Sequence, residues 1–281
     1  MPNQMDRRTL FKALAASPAS TAWSAPGKVI DAHNHFNFHA RPTWADDDRK
    51  VMEAADRLGI DQLCCSILPP ERPTTMEGFR LCNQWMAEAM KRYPERVLGY
   101  VFVNPGYGQA AVDEVRRYVE EHGFIGVKLY NDFRVTDPQT APILELAAKL
   151  RIPVLQHAGH TTWLPAPQPN ISDAGHIAEA ARRFPETMLI CAHICGGGDW
   201  EWSIKALRDA PTAYFDTSGS VADEGTVEFA VKTLGADRVL FACDLSMTTS
   251  VGRVRGAAIS ETDRRKLLGE NMQRILARRI R

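Results

Sequence analysis

The stretch VIDAHNHFNF, residues 29–38, follows a Pro-Gly pair and reads as the opening strand of a buried sheet. Successive side chains on a strand point to opposite faces, so His33 and His35, two residues apart, share one face. A neutral imidazole taken into an interior needs a hydrogen-bond partner or a metal ion. A lone histidine on an apolar strand is more often a hydrogen-bonded core residue than a ligand. The meaning of this pair therefore depends on what the other strands carry.

Seven more short apolar runs follow: DQLCCSIL, RVLGYVFVNP, FIGVKLY, IPVLQHAG, MLICAHI, AYFDTS and RVLFACDLS. They are near-continuously apolar, as expected of strands covered on both faces. The stretches between and after them, from DDDRKVMEAADRLG to SETDRRKLLGENMQRILARR, carry apolar residues at helical spacing. Several open on Asp or Ser and some close on Gly. Eight strand-helix pairs imply a parallel sheet with right-handed crossovers, closed into an α/β (β/α)8 TIM barrel rather than an open doubly wound sheet. No linker rich in Pro, Gly or Ser divides the chain, so residues 27–281 are expected to form one barrel domain, with a long loop at 161–172 after the fifth strand.

The chain has 281 residues, 44% hydrophobic and 24% charged, which is ample for a substantial core. Lys plus Arg and Asp plus Glu both number 34, so no basic nucleic-acid footprint is expected. No stretch approaches the roughly 20 apolar residues of a membrane span. The partner expected is a small-molecule substrate, and a homo-oligomer is compatible with the sequence.

Residues 1–26 stand apart. Arg7 and Arg8 precede Leu10, Phe11 and a run of small residues, with Ala22 and Ser24 spaced as a small-x-small cleavage site. This resembles a twin-arginine export signal, with Asp6 where Ser or Thr is usual and Pro18 interrupting the apolar core. The expectation is export to the periplasm; a tail that is not a signal, disordered or helical, would leave the protein cytoplasmic. The six cysteines show no disulfide framework and read as buried thiols.

In a barrel of this kind the catalytic groups come from the C-terminal ends of different strands, where the loops converge. Strand 1 ends with His33 and His35, strand 4 with Lys128, strand 5 with His157, strand 6 with His193 and strand 8 with Asp244. Any one of these has a bland explanation, but coincidence would have to account for all of them together. Imidazole and carboxylate donors at an open site suit Zn²⁺, with Mn²⁺ or Fe²⁺ as alternatives, and one or two ions. His33, His35, His157 and Asp244 are the expected ligands; His193 is either a further ligand or an unligated proton shuttle.

The segments IDAHNHF, GVKLY, HAGH, AHICGG, DRVLFACDLS and GENMQRIL together resemble the amidohydrolase superfamily. The resemblance is greatest to its amidohydrolase-related (amidohydrolase 2) branch, which includes aminocarboxymuconate semialdehyde decarboxylase, and it covers residues 28–277. It implies that His33, His35, His157 and Asp244 match metal-ligand positions and that His193 matches the strand-6 histidine. It also implies that Lys128 sits where dinuclear relatives carry a carboxylated, bridging lysine; here Lys128 could equally bind metal or hold a substrate anion. The chain departs from the family at Ala242, Cys243 and Ser246, around the aspartate.

Two activities follow. The first is hydrolysis of an ester, lactone or amide by a metal-activated water, with Asp244 and His193 as the catalytic groups. The alternative is metal-dependent non-oxidative decarboxylation of a small aromatic or unsaturated acid, for which Arg41, Arg134 or Lys128 would bind the carboxylate. A metal-binding protein without activity is a third reading. Lys128, His160 and Tyr130 are the candidate substrate contacts, with Phe36, Phe38, Trp44, Phe133 and Trp163 as further loop aromatics. His39 reads as a loop residue near the mouth, and His122 and His176 as solvated or capping helix residues. Cys191 and Cys195 are read as small hydrophobes rather than thiolate ligands.

Overall fold

The computed structural model describes residues 27–159, 169–194, 198–220 and 223–279. Its sheet is eight-stranded and parallel, in the order β1 to β8: Ile30–Phe36, Gln62–Ile67, Val97–Phe102, Gly126–Leu129, Pro153–Gln156, Met188–Cys191, Ala213–Asp216 and Val239–Leu240. The ring closes between its ends, where Ala32 N donates to Phe241 O at 2.9 Å and Asp244 N to His33 O at 2.7 Å. This is the expected (β/α)8 barrel.

Helices lie outside the ring, as the periodicities predict. α1 (Trp44–Leu58) ends on Gly59, whose φ of 67° is the left-handed conformation that closes a helix most easily on glycine. α2 (Met76–Arg92) is capped by the Thr75 hydroxyl, which accepts from Gly78 N. α3 (Gln109–His122), α4 (Ala141–Leu150), α5 (Ala174–Arg183), α6 (Trp200–Ala206) and α7 (Thr226–Leu234) complete the crossovers. His176 has the capping role expected of it: its backbone N–H donates to Asp173, and its ring accepts from Asp173 N. His122, at the end of α3, packs against Tyr118.

Two features after β8 differ from the expectation. Met247–Gly256 forms a helix, α8, in a stretch whose Thr, Ser and Gly residues obscure its period. The final segment is not one regular helix either. α9 (Glu261–Arg265) passes through a π-helical turn at Lys266–Glu270 into α10 (Asn271–Leu276). The wider turn has a use, since Leu267 O accepts from Phe241 N of the closing strand at 2.9 Å. Gly269 in the same turn lies against β1, where a Cβ would fall 1.9 Å from Lys28 O.

The barrel has two apolar zones. Val101, Val127, Val154 and Phe215 face outward to the helices, while Ile30, Ala32, Cys64, Tyr100, Leu155, Ile190, Tyr214 and Leu240 fill the inside. On β1 the inward residues before residue 33 are thus the even-numbered ones. The register with β2 slips by one residue between Asp31 and Asn34. This β-bulge reverses the alternation, so the strand supplies Ile30 and Ala32 to the packed interior and then His33 and His35 to the mouth. Buried Asp31 pins the bulge by accepting from His33 N (3.1 Å), Cys243 N (2.9 Å) and the Asn34 amide (2.6 Å).

Candidate active site

The strand ends gather as the sequence predicts. The Asp244 carboxylate lies 3.2 Å from His35 Nε2, 3.8 Å from His33 Nε2 and 3.6 Å from His193 Nδ1. His193 Nε2 is 3.0 Å from His157 Nδ1, and Lys128 Nζ is 2.7 Å from His33 Nε2. Tyr130 stacks on His157 with ring centroids 4.0 Å apart. His193 and Asp244 both have left-handed backbone, φ 68° and 44°, a conformation that clusters at functional sites. At His193 it matters for direction. Ile190 and Ala192 are the inward residues of β6, so a regular strand would send His193 outward.

Asp216, not among the sequence-predicted site residues, organises the cluster from β7. Its Oδ1 accepts from His193 N (2.9 Å), Ser218 N (3.0 Å) and the Ser218 hydroxyl (2.6 Å), and its Oδ2 from His33 Nδ1 (2.9 Å). The signal was present: the strand AYFD ends on a carboxylate, Asp216, two residues after inward Tyr214.

Hydrogen-bond direction then fixes the tautomers. A carboxylate only accepts, so His33 carries its proton on Nδ1 and a lone pair on Nε2. Ser218 spends its one proton on Asp216, so it must accept from His193 Nδ1 at 2.9 Å. With Nδ1 protonated, neutral His193 accepts at Nε2 from His157 Nδ1, which leaves His157 Nε2 with its lone pair. His35 has two options, because Ser66 offers Nδ1 both a carbonyl at 3.2 Å and a hydroxyl at 3.1 Å. It can hold its proton on Nε2 toward Asp244, or move it to Nδ1 and free Nε2.

The electrostatics agree with neutral rings and ionised acids. Burial lowers His33 to about 3, helped by the neighbouring Lys128 cation, and burial also lowers His157 and His193. Burial alone would raise Asp216 and Asp244. The imidazoles around them outweigh it, together with the Ser218 hydroxyl for Asp216, which falls to about 2; Asp244 is held well below the usual carboxylate range. Lys128, fully buried, is lowered by desolvation to about 8.

Free imidazole lone pairs converging with an ionised carboxylate are the donor chemistry of a divalent metal site. Among the described residues, His33, His193 and Asp244 each offer a ligand atom, all within 4.8 Å of one another. On the tautomers above, His193 Nε2 already accepts from His157 Nδ1 and His33 Nε2 from Lys128 Nζ, so the uncommitted lone pairs belong to His157 and, after proton transfer, His35.

Other candidates fall elsewhere. His160, Trp163 and Cys195 lie outside the described residues, as do residues 1–26. His39 packs among Phe38, Trp44 and Trp85 with Glu88 3.9 Å away, against helices α1 and α2. Arg41 and Arg134 are exposed, and Phe36 and Phe38 belong to the outer core. Cys191 is buried there too, its thiol pushed up by desolvation. The arginine at the site is Arg72, from the loop after β2. Its guanidinium carbon lies 3.1 Å from the Tyr130 ring centre, on a side chain that also donates to Asn131. Its own segment, PPERPTT, gives no sign of this contact.

A (β/α)8 barrel with such a cluster at its strand C-termini is an enzyme architecture, and comparison places it. The Amidohydro_2 family model, described as Amidohydrolase, matches residues 30–278, and the chain belongs to this family. A gamma-resorcylate decarboxylase from Polaromonas sp. is 24% identical over 285 residues, covering 81% of this chain and 86% of that one. The structure is similar to 5-carboxyvanillate decarboxylase from Sphingomonas paucimobilis (TM-score 0.71, 18% identity, 89% of this chain and 99% of that one). It is also similar to a dihydroxybenzoic acid decarboxylase from Polaromonas sp. JS666 with bound manganese and the inhibitor 2-nitroresorcinol (TM-score 0.68, 21% identity, 89% and 97%). These relatives are named as decarboxylases, and the last of them carries bound manganese. Among the described residues, no helix is long and apolar enough to cross a membrane.

Proposed function

We propose that the protein is a metal-dependent, non-oxidative decarboxylase of a small hydroxylated aromatic acid. The observation that carries this is the wall beside the histidine–aspartate cluster. Tyr130 is clamped between Arg72 and His157, and Lys128 Nζ stands 5.8 Å from the same ring. Two cations, Arg72 and Lys128, on one wall suit the anionic oxygens of an aromatic acid, and the 24% identical relative is a decarboxylase of that class.

His33, His35, His157 and Asp244 would hold the ion, with Mn²⁺ the first choice and Zn²⁺ or Fe²⁺ compatible with the donors. When bound, a divalent ion supplies Lewis-acid charge for the substrate's anionic oxygens. The residues do the rest. Arg72 and Lys128 bind the carboxylate and ring oxygens, while Tyr130, covered on its two faces by Arg72 and His157, holds those side chains at the wall. Asp244, ionised before substrate enters, takes the proton of the ring hydroxyl and delivers it to the ring carbon. That proton replaces the carboxylate as the carbon–carbon bond breaks, its electron pair staying on the ring and CO2 leaving. His193, tied to Ser218 and Asp216, positions His157.

The test is a panel of 2,6-dihydroxybenzoate, 5-carboxyvanillate, and simple aryl esters and lactones, offered to Mn²⁺-reconstituted protein. CO2 release from an aryl acid supports the proposal. Ester or lactone turnover without CO2 release from any acid would replace it with hydrolysis.

A further inference from the structure

The position of Lys128 has a consequence for how the site loads, one that rests on the metal-dependent reading above. His33 Nδ1–H is committed to Asp216, so the single lone pair of the ring is on Nε2. That lone pair already accepts from Lys128 Nζ at 2.7 Å. An imidazole nitrogen cannot serve a lysine proton and a metal ion at once. Lys128 is fully buried, as are His33 and Asp216, so solvent does little to offset the charge left when this contact breaks.

We propose that the Lys128 ammonium is the resident cation of the site, and that a divalent ion loads by exchange, displacing Lys128 from His33. In the metal-free protein Lys128 offsets the two carboxylates, Asp216 and Asp244, and fixes the His33 ring. After exchange the ammonium remains in the cavity beside Tyr130, where it faces the substrate's carboxylate. Lys128 is then a competitor of the metal and an anchor of the substrate, not a metal ligand.

The experiment is calorimetric titration of Mn²⁺ into metal-free wild type and Lys128→Met. A lost hydrogen bond to a charged group changes affinity by roughly 10–100-fold, so Lys128→Met is expected to bind Mn²⁺ at least about tenfold more tightly than wild type. Its metal-free form is expected to melt lower, and Mn²⁺ to raise its Tm by more. Equal or weaker binding by Lys128→Met overturns the exchange, and a carboxylated lysine in the mass of metal-loaded wild type would do the same. Should the variant fail to fold, a crystal structure of Mn²⁺-loaded wild type decides. Lys128 Nζ beyond hydrogen-bond reach of His33 Nε2 and off the metal supports the proposal; Lys128 on the ion overturns it. Failure of both proteins to bind Mn²⁺ would instead remove the metal-dependent reading, and the exchange with it.

Discussion

Asp216 Oδ2 accepts the Nδ1 proton of His33 at 2.9 Å across the barrel interior, joining β7 to β1. That bond decides which nitrogen of His33 faces the mouth. In Asp216→Asn the amide can present its NH2 group to the ring and favour the opposite tautomer, which places a proton where the lone pair must be. Losing a partner of this kind typically costs about 10–100-fold in metal affinity. Mn²⁺ titration of Asp216→Asn should show a loss in that range with the far-ultraviolet spectrum unchanged; unaltered affinity would mean that Asp216 does not set the tautomer.

Asp244 gives a second prediction. General acid–base catalysis contributes about 10²–10⁴-fold, so Asp244→Asn should lose turnover on that scale. Substrate binding, measured by equilibrium titration at Mn²⁺ concentrations that fill the site of the variant, should change far less. Comparable losses in binding and turnover would assign Asp244 to substrate capture instead.

Arg72 is expected to act on binding. Removing a charged hydrogen-bond donor should raise KM for an aryl acid by about 10–100-fold in Arg72→Met, with kcat within a few-fold of wild type. A fall in kcat at constant KM would place the guanidinium in the chemical step.

Asp31 links stability to pH. Burial raises its pKa from 3.8 to about 7, against the hydrogen bonds from Asn34, His33 and Cys243. Between those values the folded chain holds a proton that the unfolded chain has released. The contribution of Asp31 to stability is therefore full below pH 4 and declines until the folded group ionises near 7. Denaturant melts of wild type and Asp31→Asn should differ in slope across this window, the wild type losing more stability as pH rises. Parallel pH profiles would contradict the assignment.

Gly269 tests the closure of the ring. A methyl group there meets Lys28 O, and overpacking of this kind costs about 1–3 kcal/mol. Gly269→Ala should lower Tm by several degrees; an unchanged Tm would show that the π-helical turn yields without cost.

The strands and most helices were legible because their periods are strong, and the histidine pair because a strand alternates. The bulge at residues 31–34 was not legible, since the odd positions Asp31, His33 and His35 of IDAHNHF are polar throughout and nothing marks a change of face. His193 illustrates the same limit: parity alone would turn it away from the mouth, and only the left-handed backbone brings it in. Asp216 was readable in principle, as the inward residue ending AYFD, but an aspartate between a strand and a Thr-Ser turn looks like an ordinary cap. Arg72 reaches the site from a loop, and no local pattern encodes where a loop side chain lands.

The central claim is that His33, His35, His157 and Asp244 share one divalent ion. Anomalous diffraction from Mn²⁺-soaked crystals, collected at the manganese edge, tests it most directly. A single strong peak within coordination distance of His33 Nε2, His35 Nε2, His157 Nε2 and the Asp244 carboxylate is the predicted result. A fully loaded crystal with its peak elsewhere, and none among these residues, would contradict it.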